Sequence, residues 1–331
     1  QEEGLGEKLC KLLNIWTRHP DLSIWEDLVG RYIDAEETTV IGIVGKYVHL
    51  VESYKSLNEA VVHGGMSHRA RTELRFISSD ELEEGRLDQL EGVDGILVPG
   101  GFGERGTEGK IAAIRYAREN DVPFLGICLG MQLSVVEFSR NVVGLDRANS
   151  REFDDSTPHP VIDLMEEQKE ITMKGGTMRL GSYPCQLKVG SLAHKIYGAD
   201  EIHERHRHRF EVNSHYLPQL AENGLKAAGM SPDGLLPETV ELDGHPWFFG
   251  CQFHPEYKSK PTRPHPIFVS FVRAALDFRE LRDGSKAKKA SSKAAKSKTR
   301  PKKAASTSGE VEAELAGSLL QVSPGGVSAE S

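Results

Sequence analysis

No apolar run in this 331-residue sequence approaches the roughly 20 residues that a membrane-spanning helix needs. Nothing at the amino end couples a basic region to an apolar stretch, so a secretory signal is not expected either. Cysteine is scarce. Cys10, Cys128, Cys185 and Cys251 are widely scattered and none forms a C-x-x-C pair. That suits neither a disulfide framework nor a zinc site, and reduced thiols in a cytoplasmic enzyme are the simple expectation. The phosphate-loop pattern is missing as well: Gly109-Lys110 is followed by Ile111, where Ser or Thr would be required.

Charge is unevenly spread. From Ser285 onward nine Lys/Arg stand against four Glu, a balance of +5, which leaves −13 of the total −8 on the residues before it. An acidic body does not suggest nucleic acid as a partner, and the basic run reads first as a solvated tail. The first residue is Gln rather than Met, which is expected of a processed chain or of a piece of something longer.

Residues 1–38 read as a helical lead-in. Leu5, Leu9, Leu12 and Leu13 recur at helical spacing, Pro20-Asp21 marks a turn, and a second amphipathic segment follows from Asp21 to Tyr32. Residues 39–281 carry the globular pattern. Strands are expected from Val40, over Glu73–Ser78, from Val93 and from Val122, with helices over Leu57–Arg71, Gly109–Asn120 and Leu129–Arg140 between and after them. Strands alternating with helices imply a parallel sheet covered on both faces. The second half is strand-rich, with candidates over Tyr183–Val189, Glu201–Val212, Leu225–Met230, Leu235–Leu242 and Trp247–Phe253, closed by a helix over His265–Phe278. Residues 282–331, rich in Lys, Ala and Ser, have too little apolar surface to offset their ordering entropy and read as a disordered tail.

The most informative stretch is Pro123 to Gln132, in which an apolar strand runs through Gly126-x-Cys128-x-Gly130 into a helix. Flanking glycines let the backbone turn sharply, as in a strand–nucleophile–helix elbow. The turn sets the sulfur at a helix N-terminus, where thiolate is favoured over thiol, and aims the Leu129 N–H at a developing oxyanion. A buried structural cysteine is the plain alternative. Two other stretches weigh against it. His254 and Glu256, at the end of another apolar strand, lean the same way on an extended backbone. His254 can then exchange a proton with Cys128 while the carboxylate fixes the ring. Pro99-Gly100-Gly101-Phe102-Gly103 follows a third strand, and Gly101 is the second candidate oxyanion donor.

These three motifs resemble class I (triad) glutamine amidotransferases. They are joined by Ala148-Asn-Ser-Arg-Glu-Phe153, Gly175-Gly-Thr-Met-Arg-Leu-Gly181 and the run from Glu204 to Asn213, and the resemblance covers about residues 1–280. It implies an α/β, flavodoxin-like fold with a mostly parallel central sheet, helices on both faces and a strand-rich second half. It implies a Cys128, His254 and Glu256 triad, an oxyanion hole of Gly101 and Leu129, and glutamine held by Gly101, Leu129, Gly130, Met131, Gln132, Glu152 and Arg209. Glu152 suits the α-ammonium of the substrate, and the planar fork of Arg209 suits its α-carboxylate. His206 and His208 raise the thought of a metal, but the alternating arginines would repel a cation, and no metal is expected.

The match is nearer still to members whose glutaminase domain follows a synthase domain that binds ATP, Mg²⁺ and UTP. It implies that L-glutamine and that synthase domain are the partners, in a homo-oligomer (a tetramer) when full-length, and that no cofactor sits in this chain. Gly175–Gly181 resembles the mobile lid that answers GTP, an allosteric activator, with Arg105, Glu108 and Arg179 as candidate contributors. The competing reading makes Arg179 an ordinary solvated loop charge. Rival functions are a free-standing amidotransferase of the same class, a γ-glutamyl hydrolase, or a non-catalytic regulatory or assembly module.

Overall fold

The structure, a computed structural model, describes residues 4–16, 21–46, 48, 51–164 and 178–298, with side chains as far as Gly284. The chain divides into two units, 1–284 and 285–331. Three sequence expectations fall wholly or partly outside the described residues: Pro20 of the first turn, Gly175 to Thr177 of the lid segment, and the tail from 299 on.

Helices α1 (Leu5–Leu12) and α2 (Ser23–Ile33) lead in, and Leu28 is the one buried residue of α2. Strand β1 (Glu37–Gly45) follows, then helix α3 (Lys55–Ser67) and strand β2 (Ala70–Ser78). A short helix α4 (Ser79–Glu83) precedes β3 (Gly95–Val98), α5 (Thr107–Glu119), β4 (Phe124–Ile127) and α6 (Leu129–Phe138). Beyond a small pair, β5 (Asn149–Ser150) and β6 (Pro160–Leu164), come β7 (Arg179–Leu187), helix α7 (Leu192–Tyr197), β8 (Glu201–His208) and β9 (Phe210–Val212). The body closes with α8 (Leu217–Glu222), β10 (Leu225–Met230), β11 (Pro237–Leu242), β12 (Phe248–Cys251) and α9 (Pro266–Lys298).

Nine strands form one sheet in the order β2-β1-β3-β4-β12-β11-β10-β7-β8. The five from β2 to β12 are parallel, and the remaining four pair antiparallel. The sheet is therefore mixed, with the parallel part carried by the apolar runs that sequence patterning identifies and the antiparallel part by the strand-rich second half. Strands β3, β4 and β12 are entirely buried, as expected of strands covered on both faces. One apolar cluster, including Ile111, Leu133 and Phe138, packs α5 and α6 on one face of the sheet. A second, including Leu57, Phe268 and Phe271, packs α3 and α9 on the other. Strands β5, β6 and β9 form a separate three-stranded sheet. Among the described residues no helix is long and apolar enough to cross a membrane.

Two features depart from what local sequence suggests. Gly64-Gly65 lowers helix propensity, yet both lie within α3. The reason is close packing: a Cβ at Gly64 would stand 2.6 Å from the Phe268 carbonyl oxygen, so α3 and α9 approach only because the side chain is missing. Helix α9 also runs on to Lys298, past the expected end at Phe278. Ala and Lys, abundant there, are good helix formers even where apolar surface is lacking.

This packing generates a paired expectation. Gly64→Ala forces backbone apart and should lower unfolding free energy by about 1–3 kcal/mol. Gly6→Ala, in α1 with nothing within 4 Å of its Cβ position, should raise it or leave it unchanged, within about 1 kcal/mol. Urea denaturation of both variants measures the contrast, and equal effects would refute it.

Candidate active site

Strands β3, β4 and β12 are adjacent and parallel, so their carboxyl ends open on one edge of the sheet, where ligands bind in open α/β folds. Each end carries one of the three motifs. Pro99 and Gly100 follow β3, Cys128 follows β4, and Gln252 to His254 follow β12.

Cys128 is the N-cap of α6 and adopts φ 52°, ψ −102°. A positive φ is costly for a residue with a Cβ, and such strain is held only where the surroundings over-determine it. Here they do. The Cys128 N–H donates to the Cys251 carbonyl at 2.7 Å, and the Gln132 N–H donates back to the Cys128 carbonyl at 3.1 Å. The flanking glycines are demanded by space: a Cβ at Gly126 would stand 2.7 Å from the Gly130 carbonyl oxygen, and one at Gly130 only 2.1 Å from that of Val98. Gly100 matters for the same reason. Its missing Cβ would stand 2.8 Å from Cε1 of His254 and 3.5 Å from Cβ of Cys128. The three strand ends are thus packed to contact.

His254 is buried at the sulfur. Its Nδ1 lies 2.7 Å from Oε1 of Glu256, its ring stacks on Tyr257, and its backbone N–H donates to the Arg205 carbonyl at 2.8 Å. Burial alone would lower the pKa of the ring. Hydrogen bonds to Cys128 and Glu256, and the charge of both, outweigh it and raise the value to about 11. The imidazole therefore carries its proton at neutral pH. Gln252, which sequence reasoning passed over, points its amide at the sulfur, with Nε2 3.7 Å from Sγ. Its place between Cys251 and His254 was the available signal.

The other expected site residues divide into groups. The Gly101 Cβ position is 3.4 Å from the Leu129 side chain, so the glycine loop packs against the first residue of α6. Glu152 reaches the same loop and accepts from the Gly103 N–H at 2.9 Å. Arg209 lies between β8 and β9, out of the exposed row that Arg205 and Arg207 form on β8, and its Nε is buried without a hydrogen-bond partner among the described residues. An unmatched guanidinium donor fits an absent carboxylate ligand. Gln132 and Met131 are different. The Gln132 amide is tied to the Phe210 carbonyl and Gln252, and the Met131 side chain lies against the Gly250 backbone on β12, so both act through the protein interior. Gly130 serves the turn itself.

Arg105 and Glu108 line one cavity together with Glu83, Asn149 and Phe153, whereas Arg179 is paired elsewhere. Arg105 is exposed beside Asp80, and Glu108 pairs with Arg140 at 2.9 Å. Arg179 is buried, which corrects its reading as a solvated loop charge. It pairs with Glu238 at 2.7 Å and Glu211 at 3.5 Å, and its guanidinium lies over the Tyr183 ring. Burial draws a counter-ion in with it because an unpaired charge there is prohibitive. Burial, opposed by Arg179, raises Glu211 to about 8 and Glu238 to about 7. Burial lowers His206 to about 2 and His208 to about 3, with Arg179 adding to both. The two histidines are therefore neutral and bonded to each other at 2.9 Å. Among the described residues no group of three or more His, Cys, Asp or Glu is arranged to hold a metal ion.

Comparison with known proteins places the chain in a family. Residues 49–274 match the family described as glutamine amidotransferase class-I. A CTP synthase of Syntrophus aciditrophicus is 59% identical over 281 residues, which is 85% of this chain and 52% of that protein. A CTP synthase of Pelobacter propionicus is 56% identical over 85% of this chain and 53% of its own length. The chain thus spans about half the length of the curated relatives it matches. The solved glutaminase domain of Trypanosoma brucei CTPS, with bound acivicin, superposes with a TM-score of 0.68 at 38% identity, covering 72% of this chain and 94% of that one. The chain belongs to the class-I glutamine amidotransferase family, and along most of its length it is similar to the glutaminase part of CTP synthases.

Proposed function

We propose that this chain hydrolyses glutamine through Cys128, His254 and Glu256 and supplies the ammonia to a CTP-forming synthase domain. The observation that carries the reading is the contact of Gly100, Cys128 and His254 at the carboxyl ends of three adjacent strands, with the His254–Glu256 bond at 2.7 Å behind it.

In this mechanism the protonated His254 faces the Cys128 thiolate. The sulfur attacks the side-chain amide carbon of glutamine, and the resulting oxyanion is held by the N–H groups of Gly101 and Leu129. The C–N bond breaks as His254 gives its proton to the leaving ammonia. Water then adds to the γ-glutamyl thioester, losing a proton to His254, and glutamate leaves as the thiolate returns. Glu256 holds the ring and balances its charge throughout. Glu152 and Arg209 take the ammonium and carboxylate ends of the substrate. The released ammonia would aminate a phosphorylated UTP, using ATP and Mg²⁺ held by the synthase domain, with GTP stimulating hydrolysis here. No step of that second reaction is assigned to the residues described above, and Lys110, buried in α5, has no phosphate loop around it.

Two expectations test the reading. Glutamate release by the 331-residue chain should fall at least about 10³-fold in Cys128→Ala, and by a comparable factor in His254→Ala. An unchanged rate in Cys128→Ala would end the proposal. Arg209→Lys should raise KM for glutamine by about tenfold or more with kcat largely kept, since a point charge replaces a planar fork. Steady-state kinetics decide it, and an unaltered KM would remove Arg209 from the substrate site.

A further inference from the structure

Strand β8 carries a buried carboxylate that the proposed mechanism leaves unused. Glu204 is 1% exposed, in a strand whose alternate residues, Arg205 and Arg207 among them, face outward. One oxygen, Oε1, takes every contact: Tyr197 Oη at 3.2 Å, His265 Nε2 at 3.0 Å and Lys258 Nζ at 3.0 Å. The other oxygen is buried with no hydrogen-bond partner among the described residues. A half-satisfied buried ion is a poor stability device, because apolar residues of similar volume do as well or better. Its presence calls for another explanation.

The geometry around it supplies one. Residues 255–258 form the 3₁₀ turn that carries Glu256, and His254 immediately precedes it. At one end of this arm the His254 N–H donates to the Arg205 carbonyl. At the other end Lys258 pairs with Glu204 and donates to the His203 carbonyl. Three consecutive residues of β8 therefore grip both ends of the arm, and Glu256 lies inside the grip. The same carboxylate bonds His265, whose N–H donates to Ser259 at 3.2 Å, so the chain leaving the arm is fixed too. Although burial works against the ionised form, His265 and Lys258 keep Glu204 below its ordinary range, consistent with a charged anchor.

We propose that Glu204 is a positioning residue for catalysis, which acts through Lys258 and His265 to hold His254 and Glu256 against Cys128. The inference rests on the reading of those three residues as the reacting groups. Misplacement of a reacting pair by about 1 Å is enough to cost about 10²-fold in rate, while substrate binding at Glu152 and Arg209 is left alone.

The test compares the wild-type chain with Glu204→Ala, Glu204→Gln, Lys258→Met and Cys128→Ala. The readouts are kcat and KM for glutamate release per titratable thiol, the rate of Cys128 alkylation by iodoacetamide at pH 7, and Tm. Glu204→Ala should lose roughly 10- to 100-fold in kcat with KM within about twofold, and alkylation should slow with it. Glu204→Gln keeps an acceptor for Tyr197 and His265 and should recover most of that loss. Lys258→Met should show a smaller loss of the same kind. A lowered Tm in Glu204→Ala with kcat and alkylation within twofold of wild type would overturn the inference. If Glu204→Ala does not fold, the half-exposed Lys258 decides by the same measurements, and unchanged kcat and alkylation in Lys258→Met would overturn it equally. Turnover retained by Cys128→Ala would instead defeat the reading of the site. Alkylation needs no turnover, so the two failures are distinguishable.

Discussion

The backbone at Cys128 turns where a side-chain-bearing residue resists turning, and the rest of the site depends on that turn. At φ 52° and ψ −102° the sulfur is lifted out of β4 and set over the first turn of α6. Neighbouring segments of the chain crowd the turn, leaving no room for a Cβ at Gly126, Gly130 or Gly100. Strain of this kind costs of order 1–3 kcal/mol and persists only where packing enforces it. The enforcement comes from three parallel strands ending together, with the Cys128 N–H bonded to the carbonyl of Cys251 on the neighbouring strand. Cys128, His254 and the Gly100–Gly101 loop are thereby placed by main-chain geometry, with few side-chain torsions left to set.

Electrostatics follow from the same packing. His254 lies where burial alone would strip its proton, but a sulfur on one side and Glu256 on the other reverse that. Since its value in the fold exceeds the ordinary 6.5, the stability its charge contributes is complete below about pH 6.5 and is lost as pH rises toward about 11. Further along the sheet, Arg179 is drawn into the interior by two carboxylates, which themselves hold protons longer than exposed acids do. Glu204 is the opposite case, held ionised by Lys258 and His265. Arg179, Glu204 and Glu238 thus place buried ionisable groups on β7, β8 and β11.

Much of this was legible in the amino-acid sequence. Apolar runs bounded by glycine located β1, β3, β4 and β12, because strands buried on both faces leave an uninterrupted apolar signature. The Gly-x-Cys-x-Gly spacing exposed the elbow because no other residues fit its turn. What stayed hidden depends on distant contacts. The helix through Gly64 was expected, but the close approach of the Phe268 carbonyl that requires glycine there was not. Arg179 reads as solvated until Glu211 and Glu238, 32 and 59 residues away, are brought to it. The short strands β5, β6 and β9 carry little periodicity, and nothing in the local sequence aims the Gln252 amide at Cys128 across 124 residues of chain. Parallel pairing of the first strands followed from their alternation with helices, whereas the antiparallel pairing of the second half was beyond reach, since patterning there marks burial and leaves direction and register open.

On the proposed reading the His254 ring carries its proton before substrate arrives, held between the Cys128 sulfur and the Glu256 carboxylate. An NMR titration of the imidazole nitrogens of His254 in the wild-type chain tests it directly. The account predicts a ring that keeps its proton throughout the neutral range, with no titration step between about pH 6 and 9. A step near the ordinary histidine value of about 6.5 would contradict it.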